Sequence, residues 1–468
     1  MVFKDFREYL EALEKEELLL KVKKEVAPRF DIPAGIRKIS DNNGPALLFE
    51  NVKGYPGWRV AGGLFGTRRL TAFALQTEDD EEKIVERYLN FDYNQRAVKP
   101  VLVSSGMVKD IIIKGDDIDL TKLPVPTFGE QDSTPYLTAG VEIGIHPKTG
   151  VQSASIHRRA VLGKDKTSIW VQPLSHLGLM IREAEAQGQG LGVATVIGVH
   201  PALAISSQIK VIKGIEDKMA IAGAFRGAPF ELIKCETIDC QVPADAEIVI
   251  EGVIIPRERV ADGPFAEYPG DYATLSSWIG SLGDFKGAAN VVQVTAITMR
   301  KDAIFQTMLA GAPLTENHYL KKWTHAAIIR RILSRLVPSP EDIHGVNLTA
   351  GGAAEHHIVV GIHKRSEATA REIIYAILSM STMSGLVIVV DDDIDIYDPV
   401  AVDWAIATRV RPNTDVIILP TVGPPAAAPA NISTHVHKWG IDATAPLTKE
   451  PWLYKRAVPP GLDKVDYV

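Results

Sequence analysis

Glu247-Ile248-Val249-Ile250-Glu251-Gly252-Val253-Ile254-Ile255 is a run dominated by β-branched side chains. Two heavy atoms on Cβ stiffen the first side-chain torsion, so few helices tolerate such a density and a strand is predicted. Further strand-like runs precede it at short intervals, over residues 138–145, 155–162, 168–172 and 193–199. That spacing predicts a mostly β central lobe, built as a barrel or a strongly curved sheet. The lobe opens near Ile111. Just after it, Asp119-Leu120-Thr121-Lys122-Leu123-Pro124-Val125-Pro126 carries two prolines one residue apart, which hold the backbone extended.

Outward from this lobe the pattern changes on both sides. Phe3, Phe6, Leu10 and Leu13 recur at helical spacing and predict an amphipathic helix over 3–16. Leu18, Leu20, Val22 and Val26 alternate with polar positions, as a strand ending at Pro28 would. Asn42-Asn43-Gly44-Pro45 is a turn signal before a second strand over 46–49. On the carboxy-terminal side, Ile373, Ile374, Ile377 and Leu378 share one face of a helix over 367–380. The solid apolar run over 386–390, ending in Asp391-Asp392-Asp393, predicts a buried parallel strand. From Pro420 the chain is rich in proline and alanine and is expected to be irregular, able to wrap a neighbouring subunit. The expected fold class is α+β and multidomain. It has an amino-terminal α/β lobe over 1–110, a β lobe over 111–314, and a carboxy-terminal α/β lobe with an oligomerisation tail over 315–468.

Composition bounds the function. Hydrophobic residues make up 46% and charged residues 23%, the balance of an ordinary globular protein. The two cysteines, Cys235 and Cys240, imply no disulfide framework, and their spacing has no second half to complete a zinc site. Met1-Val2-Phe3-Lys4-Asp5-Phe6-Arg7 reads as no secretory signal. The apolar stretch over 191–205 is broken by His200 and Pro201 and is too short for a membrane span. A net charge of −7 without a basic stripe makes nucleic acid a poor partner. A cytoplasmic enzyme is expected. The motifs of dinucleotide, ATP and serine-hydrolase sites are absent.

Three clusters carry chemistry. Ser155-Ile156-His157-Arg158-Arg159-Ala160 sets arginines in an otherwise apolar strand, where an unpaired guanidinium is costly to bury. An edge strand with solvated arginines accommodates it too. Ala261-Asp262-Gly263-Pro264-Phe265-Ala266-Glu267 places two carboxylates on either side of a Gly-Pro turn. Folded toward one point, one would be held ionised by an arginine and the other would exchange protons with a substrate; a solvated acidic loop is the alternative. Trp170-Val171-Gln172-Pro173-Leu174-Ser175-His176 brings a histidine beside a loop. His435 and His437 share one face of an extended strand without a carboxylate or cysteine nearby to complete a metal site.

At these clusters the chain resembles the UbiD family of decarboxylases, of the 3-octaprenyl-4-hydroxybenzoate and ferulic acid decarboxylase kind. The resemblance runs nearly end to end, through Tyr9-Leu10-Glu11-Ala12-Leu13, Pro45-Ala46-Leu47-Leu48-Phe49, Leu120-Thr121-Lys122-Leu123-Pro124 and Ile156-His157-Arg158. It continues through Val242-Pro243-Ala244-Asp245-Ala246-Glu247, Asp391-Asp392-Asp393-Ile394-Asp395, Thr408-Arg409-Val410-Arg411-Pro412 and Gly440-Ile441-Asp442-Ala443-Thr444. It implies a split β-barrel flavin lobe, a homodimer or higher homo-oligomer, and prenylated FMN supplied by a separate flavin prenyltransferase. The implied reaction is reversible, non-oxidative decarboxylation of an aromatic, heteroaromatic or α,β-unsaturated acid. A carboxylase, alone or as a subunit of a complex, and a non-catalytic assembly subunit are the alternatives.

The family's acid–arginine–acid network falls here on Asp262, Arg158 and Glu267. Arg158 would hold the substrate carboxylate, Glu267 would donate the proton, and Asp262, usually glutamate in relatives, would keep Arg158 in place. The flavin is expected along Ile156, His157, Arg158, Trp170, Val171, Gln172, Ser175, His176 and a turn at Ser207-Gln208. Relatives hold Mn2+ and K+ near the phosphate with asparagine, histidine and glutamate. Here Ser153, His176 and Asp217 stand at those places, or Lys218 if the register slips by one. The Asp217 reading keeps a metal site and is the one expected; the Lys218 reading puts an ammonium where the cation stood. Gly385 lies near the place of a lysine found in relatives.

Overall fold

The computed structural model describes residues 3–90, 97–173, 175–209, 217–261, 288–309, 314–380, 384–421, 436–447, 450–455, 457 and 459–460. The first helix, Phe6–Lys15, is capped by the Asp5 carboxylate, which accepts from Glu8 N, and it buries Phe6, Tyr9, Leu10 and Leu13. Leu19–Val22, Ala46–Phe49 and Arg59–Gly62 then form a sheet whose fourth strand, Ile304–Gln306, arrives from the far side of the central lobe. The amino-terminal lobe is thus finished by residues made much later.

The junction is also ionic. Glu247, fully buried, accepts from Arg7 Nε and Nη2 at 2.8 and 2.9 Å and from Ile304 N at 2.9 Å. Arg300 stands 3.3 Å from the same carboxylate. A buried carboxylate needs such partners, because its lone pairs are otherwise stripped of water.

The central lobe is a seven-stranded sheet in the order Lys166–Ile169, Ala288–Met299, Ile248–Ala261, Leu191–Ile197, Val141–Ile145, Gln152–Ile156, with Ile111–Lys114 beside Ala288–Met299. These neighbours pair antiparallel. Irregularities at Glu251/Gly252 and between Ile254 and Arg259 interrupt the longest ladder, and such bulges bend and twist a strand. The β-branched run over 247–255 forms the core of this sheet, with Ile248, Val249 and Ile250 completely enclosed.

The carboxy-terminal lobe begins with the helix Glu316–Leu333 and carries a five-stranded sheet ordered Ile343–Leu348, His357–Ile362, Leu386–Asp391, Val436–Asp442, Val416–Thr421. Leu386–Asp391 is parallel to both neighbours and buries Val387, Val389 and Val390, as expected of its apolar run. The expectation of an irregular chain from Pro420 is corrected in part. Val436–Asp442 is an inner strand of the sheet, fitted so closely that a Cβ on Gly440 would come within 2.3 Å of Ile374. Of the two histidines expected on one strand, His437 lies in it and His435 lies outside the described residues. Both thiols are free, with Cys240 buried and Cys235 half-buried. Among the described residues no helix is long and apolar enough to cross a membrane.

Candidate active site

The strand expected over 155–162 is in fact two. Gln152–Ile156 belongs to the large sheet, whereas Arg159–Ala160 turns away to pair with Tyr136–Leu137, and His157 and Arg158 fill the break. Consecutive residues of a straight strand face opposite ways. Here both arginines are buried, each in its own surroundings. Arg159 donates to Thr167 and Thr195 and lies 3.6 Å from Glu142, a carboxylate that burial pushes upward. The Arg158 guanidinium carbon sits 5.4 Å from the Trp170 ring centroid, in cation–π range.

His157 is locked between two partners. Nδ1 donates to the Trp170 carbonyl oxygen at 3.2 Å, which leaves Nε2 to accept from the Ser155 hydroxyl at 2.9 Å. Burial pushes its pKa down to about 4, the Trp170 hydrogen bond opposes this, and the charges of Lys218, Arg158 and Lys321 lower it further. It is therefore neutral near pH 7, in a site that gathers cations around it.

Beyond Trp170, Val171 is buried and Gln172 exposed, and the chain enters the helix His176–Ala186. Ser175 caps that helix: its Oγ accepts from Gly178 N at 3.2 Å and donates to the Gln172 carbonyl at 2.8 Å. Gly178 is required here, since a Cβ would come within 2.3 Å of the Gln172 carbonyl oxygen. His176 is exposed at the first position of the helix.

The expected turn at Ser207-Gln208 is instead the last turn of a helix, Pro201–Gln208, which Pro201 starts and the His200 side chain caps. The Ser207 carbonyl oxygen accepts from Lys218 Nζ at 2.6 Å. Burial lowers the Lys218 pKa to about 8. Asp217 is exposed, and its carboxylate caps the helix Lys218–Arg226 by accepting from Ala220 N at 3.0 Å. Lys218 is half-buried, with its ammonium bound to the end of the preceding helix, whereas Asp217 faces solvent. Ser153 is buried, and its hydroxyl has no hydrogen-bond partner among the described residues. Asp262 and Glu267 lie outside the described residues.

Sequence reasoning missed one wall. His318, Lys321 and His325 recur along one side of the helix Glu316–Leu333, a spacing of three and four that helical periodicity exposes. Lys321 Nζ is 3.1 Å from Glu355, next to His356. Burial alone would raise Glu355, but the charges of Lys321, His318, His325 and His356 overcome it and hold the carboxylate at about 2. Burial pushes His318 down to about 4. Lys321 links this wall electrostatically to His157. At the start of the same helix, Glu316 accepts from Leu309 N at 2.7 Å and Phe65 N at 3.4 Å, while burial raises its pKa to about 7.

The arrangement of a buried guanidinium on an indole, a neutral imidazole and an enclosed ammonium suits an anionic cofactor and a carboxylate substrate. Comparison with known proteins gives that chemistry a family. Models of the amino-terminal, Rift-related and carboxy-terminal domains of 3-octaprenyl-4-hydroxybenzoate carboxy-lyase match residues 10–88, 100–313 and 318–443. The chain belongs to the UbiD family of carboxy-lyases. It is 32% identical to anhydromevalonate phosphate decarboxylase of Methanothermobacter thermautotrophicus over 449 residues, covering 94% of this chain and 97% of that one. The UbiD-class enzyme HmfF of Pelotomaculum thermopropionicum, solved with FMN, superposes with a TM-score of 0.86 at 37% identity, covering 99% of both chains. An evolved dimeric form of HmfF, solved with prFMN, gives 0.83 at the same identity and coverage.

Proposed function

We propose that the chain binds prenylated FMN and decarboxylates an aromatic, heteroaromatic or α,β-unsaturated carboxylic acid. The observation that carries this reading is Arg158, buried on Trp170 beside a neutral His157 and the Lys218 ammonium. The buried Ser153 hydroxyl, which has no hydrogen-bond partner among the described residues, fits a polar cofactor group. Prenylated FMN, when bound, supplies the electron sink that loss of carbon dioxide requires.

The rest is the work of side chains. Arg158 binds the substrate carboxylate in a fork matched to its geometry, and the indole beneath restricts the guanidinium to one plane. The bond from carbon to carboxylate breaks, its electron pair stays with the carbon, and Glu267 returns a proton there. Asp262 keeps Arg158 oriented. Neutral His157 adds no competing cation for the carboxylate. Lys218, at the negative end of the helix Pro201–Gln208, neutralises the flavin phosphate. A flavin prenyltransferase supplies the cofactor, and the working form is a homo-oligomer held by the carboxy-terminal tail.

The test is co-expression with a flavin prenyltransferase and purification without oxygen. Absorbance and the mass of the released cofactor should give prenylated FMN near one per chain, and unsaturated acids should then release carbon dioxide. A folded protein that takes up no flavin would overturn the reading.

A further inference from the structure

We infer that a transition-metal site lies away from the active site, at one edge of the carboxy-terminal sheet, formed by His344, His363 and Asp392. Each offers one ligand atom, and these atoms all lie within 4.8 Å of one another. The fold brings them together from three adjacent strands. His344 is the extra residue of a bulge, since Ile343 pairs with Ile362 and Gly345 with Gly361. His363 directly follows the strand His357–Ile362, and Asp392 directly follows Leu386–Asp391. These two strands run parallel, so both residues leave from carboxyl ends, where open α/β sheets place their ligand sites.

The local charges single out Asp392. Its neighbours Asp391 and Asp393 are both taken by Arg409, at 2.6 and 2.7 Å. Asp342, beneath His363, is taken by Arg365 at 2.9 Å. Asp392 is left facing two imidazoles, with His363 Nδ1 at 2.8 Å and His344 Nε2 at 3.7 Å from the same oxygen. Zinc bonds of roughly 2.0–2.2 Å set tetrahedral donor atoms about 3.4 Å apart, so the three need only small side-chain rotations to close on an ion. Two imidazoles and one carboxylate favour zinc, cobalt, nickel or copper over calcium or magnesium. All three residues are solvent-exposed, which leaves a coordination position open to water.

Tag-free protein, stripped with a chelator, is titrated with Co2+ and compared with the His344→Ala/His363→Ala double variant. Wild type should take up one more Co2+ per chain than the variant, with visible ligand-field bands that the variant lacks and that added Zn2+ removes. Equal uptake with identical spectra would sink the site, as would wild type that takes up no Co2+. Asp392→Asn provides a second variant if the first does not fold, and it should lose the same bands. Decarboxylation and the metal-free thermal midpoint should be unchanged in either variant.

Discussion

Lys218 Nζ donates to the backbone carbonyl of Ser207 at 2.6 Å, joining the start of one helix to the end of the helix before it. The ammonium is held where a helix end presents unsatisfied carbonyls, and one such bond leaves it two further donors. In the proposed function this ammonium faces the flavin phosphate. Lys218→Met should therefore weaken flavin binding about tenfold, equivalent to ~1.4 kcal/mol, without lowering the thermal midpoint of the cofactor-free protein. Flavin retained per chain after gel filtration measures it. Undiminished retention would mean that the phosphate is held elsewhere.

Arg158 is predicted to tolerate no substitution by lysine. A lysine keeps the charge but loses the planar fork and the stacking on Trp170, so kcat/KM should fall roughly 100-fold while flavin content stays near wild type. Steady-state rates on cofactor-loaded protein decide this. A loss below threefold would remove Arg158 from carboxylate binding.

Glu316 makes stability depend on pH. Burial raises its pKa to about 7 from an ordinary 4.5, so the folded chain binds this proton more tightly than the unfolded one. The contribution is fully present below about pH 4.5 and is lost as pH rises to about 7. The thermal midpoint of wild type should carry a falling component across that window, and Glu316→Gln should flatten it. Parallel profiles for the two proteins would show that this carboxyl does not set the slope.

The Arg7–Glu247 contact joins the first helix to the central lobe, with the Glu247 side chain wholly enclosed. Arg7→Met leaves that carboxylate with a weaker set of partners and should destabilise the fold by about 3 kcal/mol. Urea unfolding measures the change. A difference under about 0.5 kcal/mol would show the pair to be no better than a surface ion pair.

What was legible in the sequence was local. The first helix buries the face its periodicity declares, and the strands over 46–49 and 386–390 are short apolar runs buried on both faces. Val436–Asp442 escaped because its burial runs against hydropathy, with Lys438 only 7% exposed and Trp439 42% exposed. The end of the helix Pro201–Gln208 was hidden for a related reason. An element buried along its whole length shows no polar stripe, so its turns cannot be told from a loop. Within the site, His157 and Arg158 were readable as a cluster. The break in the strand that frees them depends on Glu142, Thr167 and Thr195 claiming Arg159, a tertiary event. The placement of Lys218 depends likewise on the Ser207 carbonyl.

The borrowed strand Ile304–Gln306 has a consequence during synthesis. The amino-terminal sheet emerges from the ribosome with Arg59–Gly62 as an open edge, and no neighbour exists for it until the whole central lobe has been translated. Exposed edges invite pairing with other chains, and domains that fold in order of emergence hide them early. The first lobe keeps that edge open until the closing strand arrives, and a truncation before Ile304 should yield aggregate rather than a smaller folded protein.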